Sequence, residues 1–212
     1  NFNLMLLEKF LKIQQKLNLM EKSNGKKINT AVFISGRGSN LNSLIKYSNK
    51  KNSPIKIKLV ISNNSKAKGL FYAKCAKIKS YVINFKKNNI TDKELLNKLL
   101  NNNINLICLA GFMKILSKNF IKKFNKPILN IHPSLLPKYK GLNTHTRVIK
   151  NNERYSGATV HLVSEKLDSG KIILKKKIIV SKYDDEKTLA KKVLKVEHLL
   201  YPKAIKKILF SL

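Results

Sequence analysis

Apolar residues along this chain come in short blocks, and the spacing of the apolar positions alternates between blocks. Five blocks are continuously apolar or rich in β-branched residues, which is typical of strands in a buried sheet. They are KINTAVFIS (27–35), IKIKLVIS (55–62), SYVINF (80–85), INLICLAGF (104–112) and PILNI (127–131). The blocks between them have helical spacing: 40–50, 66–77, 92–103 and 117–124. This alternation predicts the α/β class, with a doubly wound, mostly parallel sheet.

The pattern changes in the last part of the chain. Two strand-like runs, 157–164 and 171–180, are joined by a short turn, so we expect them to pair antiparallel. An amphipathic stretch from Asp185 to about Leu209 predicts a long closing helix. We expect Pro202 to interrupt this helix, because proline has no amide hydrogen for the helical ladder.

Size and composition limit the possible organisation of the chain. Its 212 residues and 24.2 kDa suit one sizeable domain, which we place at 27–212, after a helical N-terminal extension of unknown role at 1–26. No apolar run approaches the roughly 20 residues that span a bilayer. Cys75 and Cys108 lack metal-ligand spacing and predict two reduced, buried thiols in a cytoplasmic protein.

The charge of the chain has two interpretations. There are 44 Lys and Arg residues against 11 acidic residues, and the formal net charge is +33. Such a charge could attract nucleic acid. The lysines are nevertheless spread along the whole chain together with many Asn and Ile residues, which indicates compositional drift. We therefore expect no specific nucleic-acid partner, although the field should attract small anions.

Two predicted strand ends have features of ligand sites. ISGRGSNL (34–41) is a strand that runs into a glycine-rich turn and then a helix beginning near Asn40. Such a turn lets an anion approach the free N–H groups of the helix, although a purely structural tight turn has the same pattern. LAGFMKIL (109–116) leaves an apolar lip outside the carboxyl end of a strand. This lip suits a flat aromatic ligand, or else it is a core turn.

The strand that ends at 131 carries candidate chemistry. Period-two spacing places Asn130 and His132 on the same face, and Pro133 ends the strand because it lacks a backbone donor. An amide and an imidazole can together polarise a carbonyl and donate a proton, as acyl transfer requires. Asp168 in the LDSGK turn would favour imidazolium if it lay near His132, and otherwise it is an ordinary turn residue.

Seven motifs occur in an order and at spacings that resemble one enzyme family. They are GRGSNL, LAGFMKILS, LNIHPSLLPKYKGL, THT, GATVHLV, LDSG and VEHLLYP. From about Lys27 to its C-terminus the chain resembles the glycinamide ribonucleotide (phosphoribosylglycinamide) formyltransferases, folate-dependent enzymes of purine biosynthesis. The resemblance implies a formyltransferase-like fold. It also implies metal-free formyl transfer from the co-substrate 10-formyltetrahydrofolate to the amine of glycinamide ribonucleotide.

The resemblance also implies roles for individual residues. Asn130, His132 and Asp168 are expected to be catalytic, with His132 donating a proton and Asp168 raising its pKa. The ribonucleotide is expected to contact four residues, which are Gly38, Ser39 and Asn40 at the phosphoribosyl end and Glu197 at the ribose hydroxyls. The folate is expected to contact Met113, Lys114, Ile115, Leu116, Asn130, Ser164, Glu165, Lys166, Leu167 and Asp168.

The chain departs from the family pattern at a few positions. Asn143 stands where the family usually has His in the GLNTH segment, while His145 is retained. Leu194 replaces a polar residue that we expect near the substrate. The basic residue that the family places at the folate tail has no clear counterpart, and Lys87 or Asn88 lies nearest to that position.

Three functional hypotheses remain open, and we favour the purine enzyme. A second is another formyl-handling enzyme with the same Asn-x-His-Pro-Ser and Asp signature, either methionyl-tRNA formyltransferase or formyltetrahydrofolate deformylase. A third is a non-catalytic RNA-binding protein. We expect no room for the RNA-binding domain of the tRNA enzyme and see no regulatory domain like that of the deformylase. The expected partners are two small-molecule substrates and no membrane, and the expected state is a monomer or homodimer.

Overall fold

The structure is a computed structural model that describes residues 27–85 and 88–210. Within these residues seven strands form one sheet: β1 Ile28–Ile34, β2 Ile55–Ser62, β3 Lys79–Val82, β4 Leu106–Leu109, β5 Ile128–His132, β6 Tyr155–Leu162 and β7 Ile172–Ile179. The same residues contain six helices: α1 Ser39–Ser48, α2 Gly69–Cys75, α3 Asn88–Asn101, α4 Lys118–Phe124, α5 Thr144–Lys150 and α6 Glu186–Phe210. The predicted extension at 1–26 lies outside the described residues.

The sheet has the predicted architecture. Its strand order is β3-β2-β1-β4-β5-β6-β7, with parallel pairing from β3 through β5 and antiparallel pairing of β6 with both β5 and β7. In β1, Ala31 and Phe33 enter one apolar cluster, with α3 and α4, while Val32 and Ile34 enter the other, with α1, α2 and α6. Helices thus cover both faces, and the doubly wound, mostly parallel sheet is confirmed.

Some predicted elements have different limits in the structure. β3 and β4 are shorter than the apolar runs at 80–85 and 104–112, because both runs continue into the loops that follow the strands. Beyond β4, Gly111 takes a positive φ of 70° and the chain leaves the sheet. Helix α5 was not predicted, because Val148 and Ile149 are its only large apolar residues and two adjacent positions show no helical period.

The prediction that Pro202 interrupts the last helix is wrong. α6 continues through this proline, which has no N–H to donate to the carbonyl of His198 four residues earlier. That carbonyl instead accepts a hydrogen bond from Ser43 Oγ of α1, at 3.3 Å. The neighbouring helix therefore supplies the donor that proline removes. In the part of the chain described here, neither α6 nor any other helix combines the length and apolar character needed to cross a bilayer.

The two cysteines have different environments. Cys108 is buried in β4, and burial raises the pKa of its thiol to about 12, although a hydrogen bond with Tyr201 lowers it in part. Cys75 is exposed at the end of α2, so the prediction that both thiols are buried is wrong for this residue. Its helix is short and presents that end to solvent. Both thiols are free.

Candidate active site

A cavity of about 830 Å³ lies at the edge of the sheet where β1, β4 and β5 end. Its wall comprises the loop from β1 to α1, the loops after β4, β5 and β6, and the N-terminal half of α6. Every residue that the sequence analysis assigned to catalysis, to the ribonucleotide or to folate lines this cavity. They meet there because the carboxyl ends of neighbouring parallel strands share one edge of a sheet.

The three predicted catalytic residues form one corner of the cavity. Asn130 and His132 lie two residues apart on β5, on the same face as predicted. Asp168 comes from the loop after β6, with Oδ2 3.4 Å from His132 Nδ1 and Oδ1 3.4 Å from Asn130 Nδ2. Its φ is 45°, in the left-handed region that Asp adopts more readily than most residues. Asp168 is therefore part of a side-chain cluster and not only a turn residue.

The sequence analysis gave no role to His161, which completes this corner. Antiparallel pairing sets His161 of β6 directly opposite Asn130 of β5. Its Nδ1 lies 2.9 Å from the Leu162 carbonyl oxygen and carries the hydrogen, so the neutral ring accepts at Nε2. Nε2 lies 3.2 Å from Asn130 Nδ2 and 3.5 Å from Asp168 Oδ1. The GATVHLV motif contained this residue, but the strand register that gives it a partner was not visible in the sequence.

The backbone decides which nitrogen of His132 can exchange its proton. His132 Nε2 lies 2.8 Å from the carbonyl oxygen of Tyr139. A carbonyl oxygen can only accept, so Nε2 keeps its hydrogen in both charge states of the ring. The titrating nitrogen is therefore Nδ1, which faces Asp168. Burial lowers the pKa of His132 below its usual value, and the Tyr139 carbonyl and the charge of Asp168 offset this only in part.

The proline-rich segment 133–142 folds back over the end of β5. Thr159 Oγ1 of β6 holds its beginning by donating to the carbonyl of Ser134, at 2.6 Å. Further along, the N–H of Gly141 donates to Asp168 Oδ2 at 2.9 Å. The prolines thus end the strand so that the returning loop can present main-chain groups to both the histidine and the carboxylate.

Asp168 is held in its ionised form by its surroundings. Burial would by itself raise the pKa of Asp168. The nearby His161 ring, the hydrogen bond from the Gly141 N–H and the charge of His132 together outweigh this effect and lower the pKa below its usual value. The corner therefore contains a buried carboxylate at neutral pH. Throughout residues 27–85 and 88–210, no three His, Cys, Asp or Glu side chains are grouped so that they could hold a metal ion.

The glycine-rich turn joins two helices at close range. Gly38 has a φ of 75°, and a Cβ placed there would lie 2.3 Å from the Cα of Gly69, at the start of α2. Glycine at position 38 is therefore required for the packing of the two helices. The N-terminus of α1 has no side-chain cap and no acidic residue in its first turn. Its first N–H groups remain able to bind an anion, as the sequence predicted.

Asn40 and Glu197 pair in the wall of the cavity, although they are distant in sequence. Asn40 Nδ2 donates to Glu197 Oε2 at 2.8 Å, and both residues are buried. Burial raises the pKa of Glu197 to about 7, and the hydrogen bond from Asn40 lowers it in part. Within the described residues Asn40 Oδ1 has no hydrogen-bond partner. A buried carboxyl that titrates near neutrality and an unused amide oxygen therefore lie together in the wall.

The apolar lip differs in composition from the prediction. Met113, Ile115 and Leu167 are exposed at 64%, 74% and 54%, and all three line the cavity. Leu116 also lines the cavity but is buried. Phe112, which the sequence placed on the exposed lip, is partly buried, because it packs edge-on against two other phenylalanine rings of an apolar cluster. The exposed lip is therefore formed by Met113, Ile115 and Leu167.

The loop 164–168 is attached to the neighbouring helix through a charged residue. Glu165 lines the cavity and lies 3.7 Å from Lys118 Nζ and 3.6 Å from Lys122 Nζ, both on α4. These ion pairs are exposed and contribute little energy, but they orient Glu165 toward α4. The two positions nearest to the missing folate-tail residue are Lys87 and the side chain of Asn88, and both lie outside the described part of the chain.

Comparison with known proteins identifies the family. A family model described as formyl transferase matches residues 28–205. The chain is 42% identical over 179 residues to the phosphoribosylglycinamide formyltransferase of Haemophilus influenzae, covering 83% of this chain and 84% of that protein. The Escherichia coli enzyme of the same name is 37% identical over 181 residues, covering 84% of this chain and 85% of that protein. This chain belongs to the phosphoribosylglycinamide formyltransferase family.

Solved structures and a longer relative agree with this assignment. The phosphoribosylglycinamide formyltransferase of Anaplasma phagocytophilum superposes with a TM-score of 0.83 at 39% identity, covering 88% of each chain. The Brucella melitensis enzyme gives the same score and identity over 88% of this chain and 98% of its own. The human trifunctional purine biosynthetic protein adenosine-3 is 43% identical over 183 residues. That match covers 85% of this chain but only 18% of the human protein. The family predicted from the motifs is confirmed.

Proposed function

We propose that this phosphoribosylglycinamide formyltransferase transfers the formyl group of 10-formyltetrahydrofolate to the amine of glycinamide ribonucleotide. The observation that carries the proposal is the corner in which Asn130, His132 and Asp168 meet. It lies in the wall of a cavity near the upper end of the size range of small-molecule sites. The names of the relatives support the substrate, and the corner supports the chemistry.

The corner has the groups that formyl transfer requires. The amine nitrogen attacks the formyl carbon, a C–N bond forms, and the electron pair of the carbonyl moves to its oxygen. The oxyanion is then stabilised by hydrogen bonds from Asn130 Nδ2 and from protonated His132 Nδ1. When the electron pair returns, the bond from the formyl carbon to N10 of the folate breaks. N10 gains a proton and the amine loses one, so the products are the formamide and tetrahydrofolate.

Asp168 supports the proton transfer from His132. Because Tyr139 holds Nε2–H in place, the proton that His132 can donate is the one on Nδ1, beside the ionised carboxylate. A negative charge at this position favours the imidazolium form. General acid–base catalysis of this kind contributes about 10²–10⁴-fold in rate. His161 assists by accepting a hydrogen bond from Asn130 Nδ2, which holds the amide in the corner.

The remaining walls suit the two substrates. The phosphate of the ribonucleotide binds at Gly38, Ser39 and Asn40 of the α1 N-terminus, and its ribose hydroxyls reach Glu197. The flat ring of the folate lies on the apolar lip formed by the segment 113–116. The loop 164–168 covers the other side of the folate. These two substrates therefore approach the catalytic corner from opposite ends of the cavity.

A formyl-transfer assay tests the proposal. The purified protein and 10-formyltetrahydrofolate are incubated with glycinamide ribonucleotide, with charged initiator tRNA or with neither, and the products are identified by mass spectrometry. We expect formylated ribonucleotide and an equal amount of tetrahydrofolate only in the first reaction. His132→Ala should lose most of this activity. His198→Ala, which removes an imidazole of α6 that does not line the cavity, should retain it.

Two results would contradict the proposal. Formyl-methionyl-tRNA as the main product would assign the protein to the tRNA enzyme. Free formate, released at the same rate with or without the ribonucleotide, would assign it to the deformylase. Since the three reactions share the donor and the catalytic corner, only the acceptor distinguishes them.

A further inference from the structure

The cavity contains few cations despite the basic character of the chain. Of the 44 Lys and Arg residues in the sequence, three of those that the structure describes line the cavity: Arg37, Lys114 and Lys166. Lys114 and Lys166 belong to the two segments that border the apolar lip. Arg37 alone lies in the turn between β1 and α1. The anion-binding end of the cavity therefore has one permanently charged cation.

Arg37 is available for a ligand. It is exposed, stands between Gly36 and Gly38, and makes no hydrogen bond or ion pair within residues 27–85 and 88–210. Two features beside it indicate a ligand. The N-terminus of α1 has no capping side chain, and the buried Asn40 has an amide oxygen without a partner. An anion that also carries hydroxyl groups, such as a sugar phosphate, would satisfy both.

The neighbouring helix α6 cannot neutralise such an anion. The part of α6 that faces the cavity presents Ala190, Val193 and Leu194, which are apolar, and the carboxyl groups of Glu186 and Glu197. A phosphate at the N-terminus of α1 thus meets only acidic and apolar side chains from the part of α6 that lines the cavity. Its charge must be balanced from its own side by helix N–H groups and by a cation in the same turn.

We infer that Arg37 binds the phosphate of the ribonucleotide and determines the preference for phosphorylated over unphosphorylated substrate. A guanidinium presents two parallel N–H groups to two phosphate oxygens, which matches phosphate geometry better than an ammonium group does. The inference rests on the proposed function for the identity of the substrate. The inference that the site binds a sugar phosphate depends only on the residues of the turn and the N-terminus of α1, and not on the proposed reaction. Arg37 lies in the turn after β1 and is not one of the residues of the catalytic corner, so we assign it to specificity and not to catalysis.

Steady-state kinetics of three variants test the inference. Arg37→Ala should raise KM for glycinamide ribonucleotide at least about tenfold, leave kcat within about twofold and leave KM for the folate unchanged, because the lost contact is made equally in ground and transition states. Arg37→Lys keeps the positive charge but lacks the two parallel N–H groups of the guanidinium. Its KM for glycinamide ribonucleotide should therefore lie between those of Arg37→Ala and wild type. Lys46→Ala removes an equal charge from the exposed far end of α1 and should resemble wild type in all three constants.

A second substrate separates phosphate recognition from general damage. With glycinamide riboside, which has no phosphate, kcat/KM should be the same for wild type and Arg37→Ala. An equal loss of activity toward riboside and ribonucleotide, or an unchanged KM for the ribonucleotide, would overturn the inference.

Calorimetry with ribose 5-phosphate separates this inference from the proposed function, since it needs no turnover. We expect binding by wild type and by Lys46→Ala, and at least tenfold weaker binding by Arg37→Ala. If the wild-type protein fails to formylate the ribonucleotide but shows this binding pattern, the proposed function is wrong and the role of Arg37 stands. Equal binding by all variants would overturn the role of Arg37 whatever the reaction.

Discussion

The acidity of His132 depends on groups that come from three parts of the chain. β5 carries the ring, the returning loop provides the Tyr139 carbonyl, and the loop after β6 provides Asp168. Burial favours the neutral ring, whereas the carbonyl and the carboxylate favour the charged ring. At the scale of the residue, the pKa of His132 is therefore set by opposing effects. Removal of one of these effects should change that pKa in a predictable direction.

Asp168→Asn should lower turnover by about 10²–10⁴-fold and shift the pH profile. Asn tolerates the positive φ of this position, so the loop should keep its conformation. Because Asp168 raises the pKa of His132, its removal lowers that pKa, and the activity that needs protonated His132 should decline at lower pH than in wild type. The measurement is kcat/KM against pH. A residual rate above about a tenth of wild type, or an unshifted alkaline limb, would contradict the role of Asp168.

Glu197→Gln should change how stability depends on pH. The pKa of Glu197 is raised from 4.5 to about 7, so its favourable contribution is complete below pH 4.5 and disappears as the pH rises through 7. Gln stays neutral and can still accept from Asn40. The difference in free energy of unfolding between the variant and wild type should therefore shift in favour of the variant when the pH rises from about 5 to about 8. The expected shift is up to roughly 3 kcal/mol, which corresponds to the change in pKa.

Urea unfolding of the substrate-free protein at the two pH values measures this effect. Glu153→Gln is the control with the opposite sign, because hydrogen bonds from Lys138 and Tyr139 lower the pKa of Glu153. The same pH dependence in wild type and Glu197→Gln would show that the carboxyl is already ionised in the folded protein at low pH.

Two helices begin in contact at Gly38 and Gly69. The sequence predicted either an anion site or a structural turn at the first glycine, and the structure shows that this glycine lets α1 approach α2. The Gly69 N–H donates to the Gly36 carbonyl at 3.0 Å, and the two Cα atoms leave no space for a Cβ at position 38. At the scale of the element, the proposed anion site is therefore built on a packing contact between helices.

Gly38→Val should destabilise the protein and impair both substrates. Its Cβ would collide with the Gly69 backbone, and its positive φ disfavours a β-branched residue. Gly36→Ala is the matched control, since a Cβ there meets nothing within 4 Å. We expect a lower melting temperature for Gly38→Val and no change for Gly36→Ala. If Gly38→Val melted at the wild-type temperature and affected only the ribonucleotide, ligand access and not packing would explain the glycine.

Elements whose burial follows a simple period could be predicted from the sequence. β1, β2 and β5 are buried runs that end at Gly, Ser or Pro, and their predicted limits lie within one or two residues of the observed ones. α6 also follows its apolar spacing, but its continuity depends on a donor from Ser43, 159 positions before Pro202, which no local pattern contains. The spacing of apolar residues in the sequence therefore predicts which helices and strands form. Contacts with residues distant in sequence determine where these elements end.

The candidate site could be predicted only in part for the same reason. Asn130 and His132 share a strand, so their common face follows from period two. His161 becomes their neighbour through antiparallel register, and Asp168 through the path of a nine-residue loop from 163 to 171. The contact of Asn40 with Glu197 spans 157 positions. These contacts follow from strand order and loop path, which spacing in the sequence does not contain.

The whole molecule has a strongly basic surface around a cavity with few cations. Exposed lysines occur on every part of the described surface, including three consecutive ones on β7, Lys175 to Lys177. A net charge of +33 attracts any polyanion through long-range forces, without a shaped site. In the proposed mechanism, catalysis instead depends on short-range hydrogen bonds inside the cavity. Salt should therefore affect these two properties to different degrees.

A titration from low salt to roughly 0.3 M should separate RNA binding from catalysis. Retention of tRNA should be lost, because counterion release dominates non-specific binding. Formyl transfer should fall only modestly, through screening of substrate attraction over a Debye length of about 8 Å near physiological ionic strength. Both are measured in parallel on the same preparation. RNA binding that resists salt and depends on sequence would contradict compositional drift as the origin of the charge.

The Tyr139 carbonyl has a consequence for how this protein can evolve. The group that fixes the tautomer of His132 belongs to the main chain, so no substitution at position 139 deletes it. The φ of Tyr139 is 57°, which glycine or asparagine adopts with less strain than tyrosine. Lineages can therefore exchange this side chain and keep the same proton donor. An engineer who wants the other nitrogen of His132 to titrate must change the length of the loop.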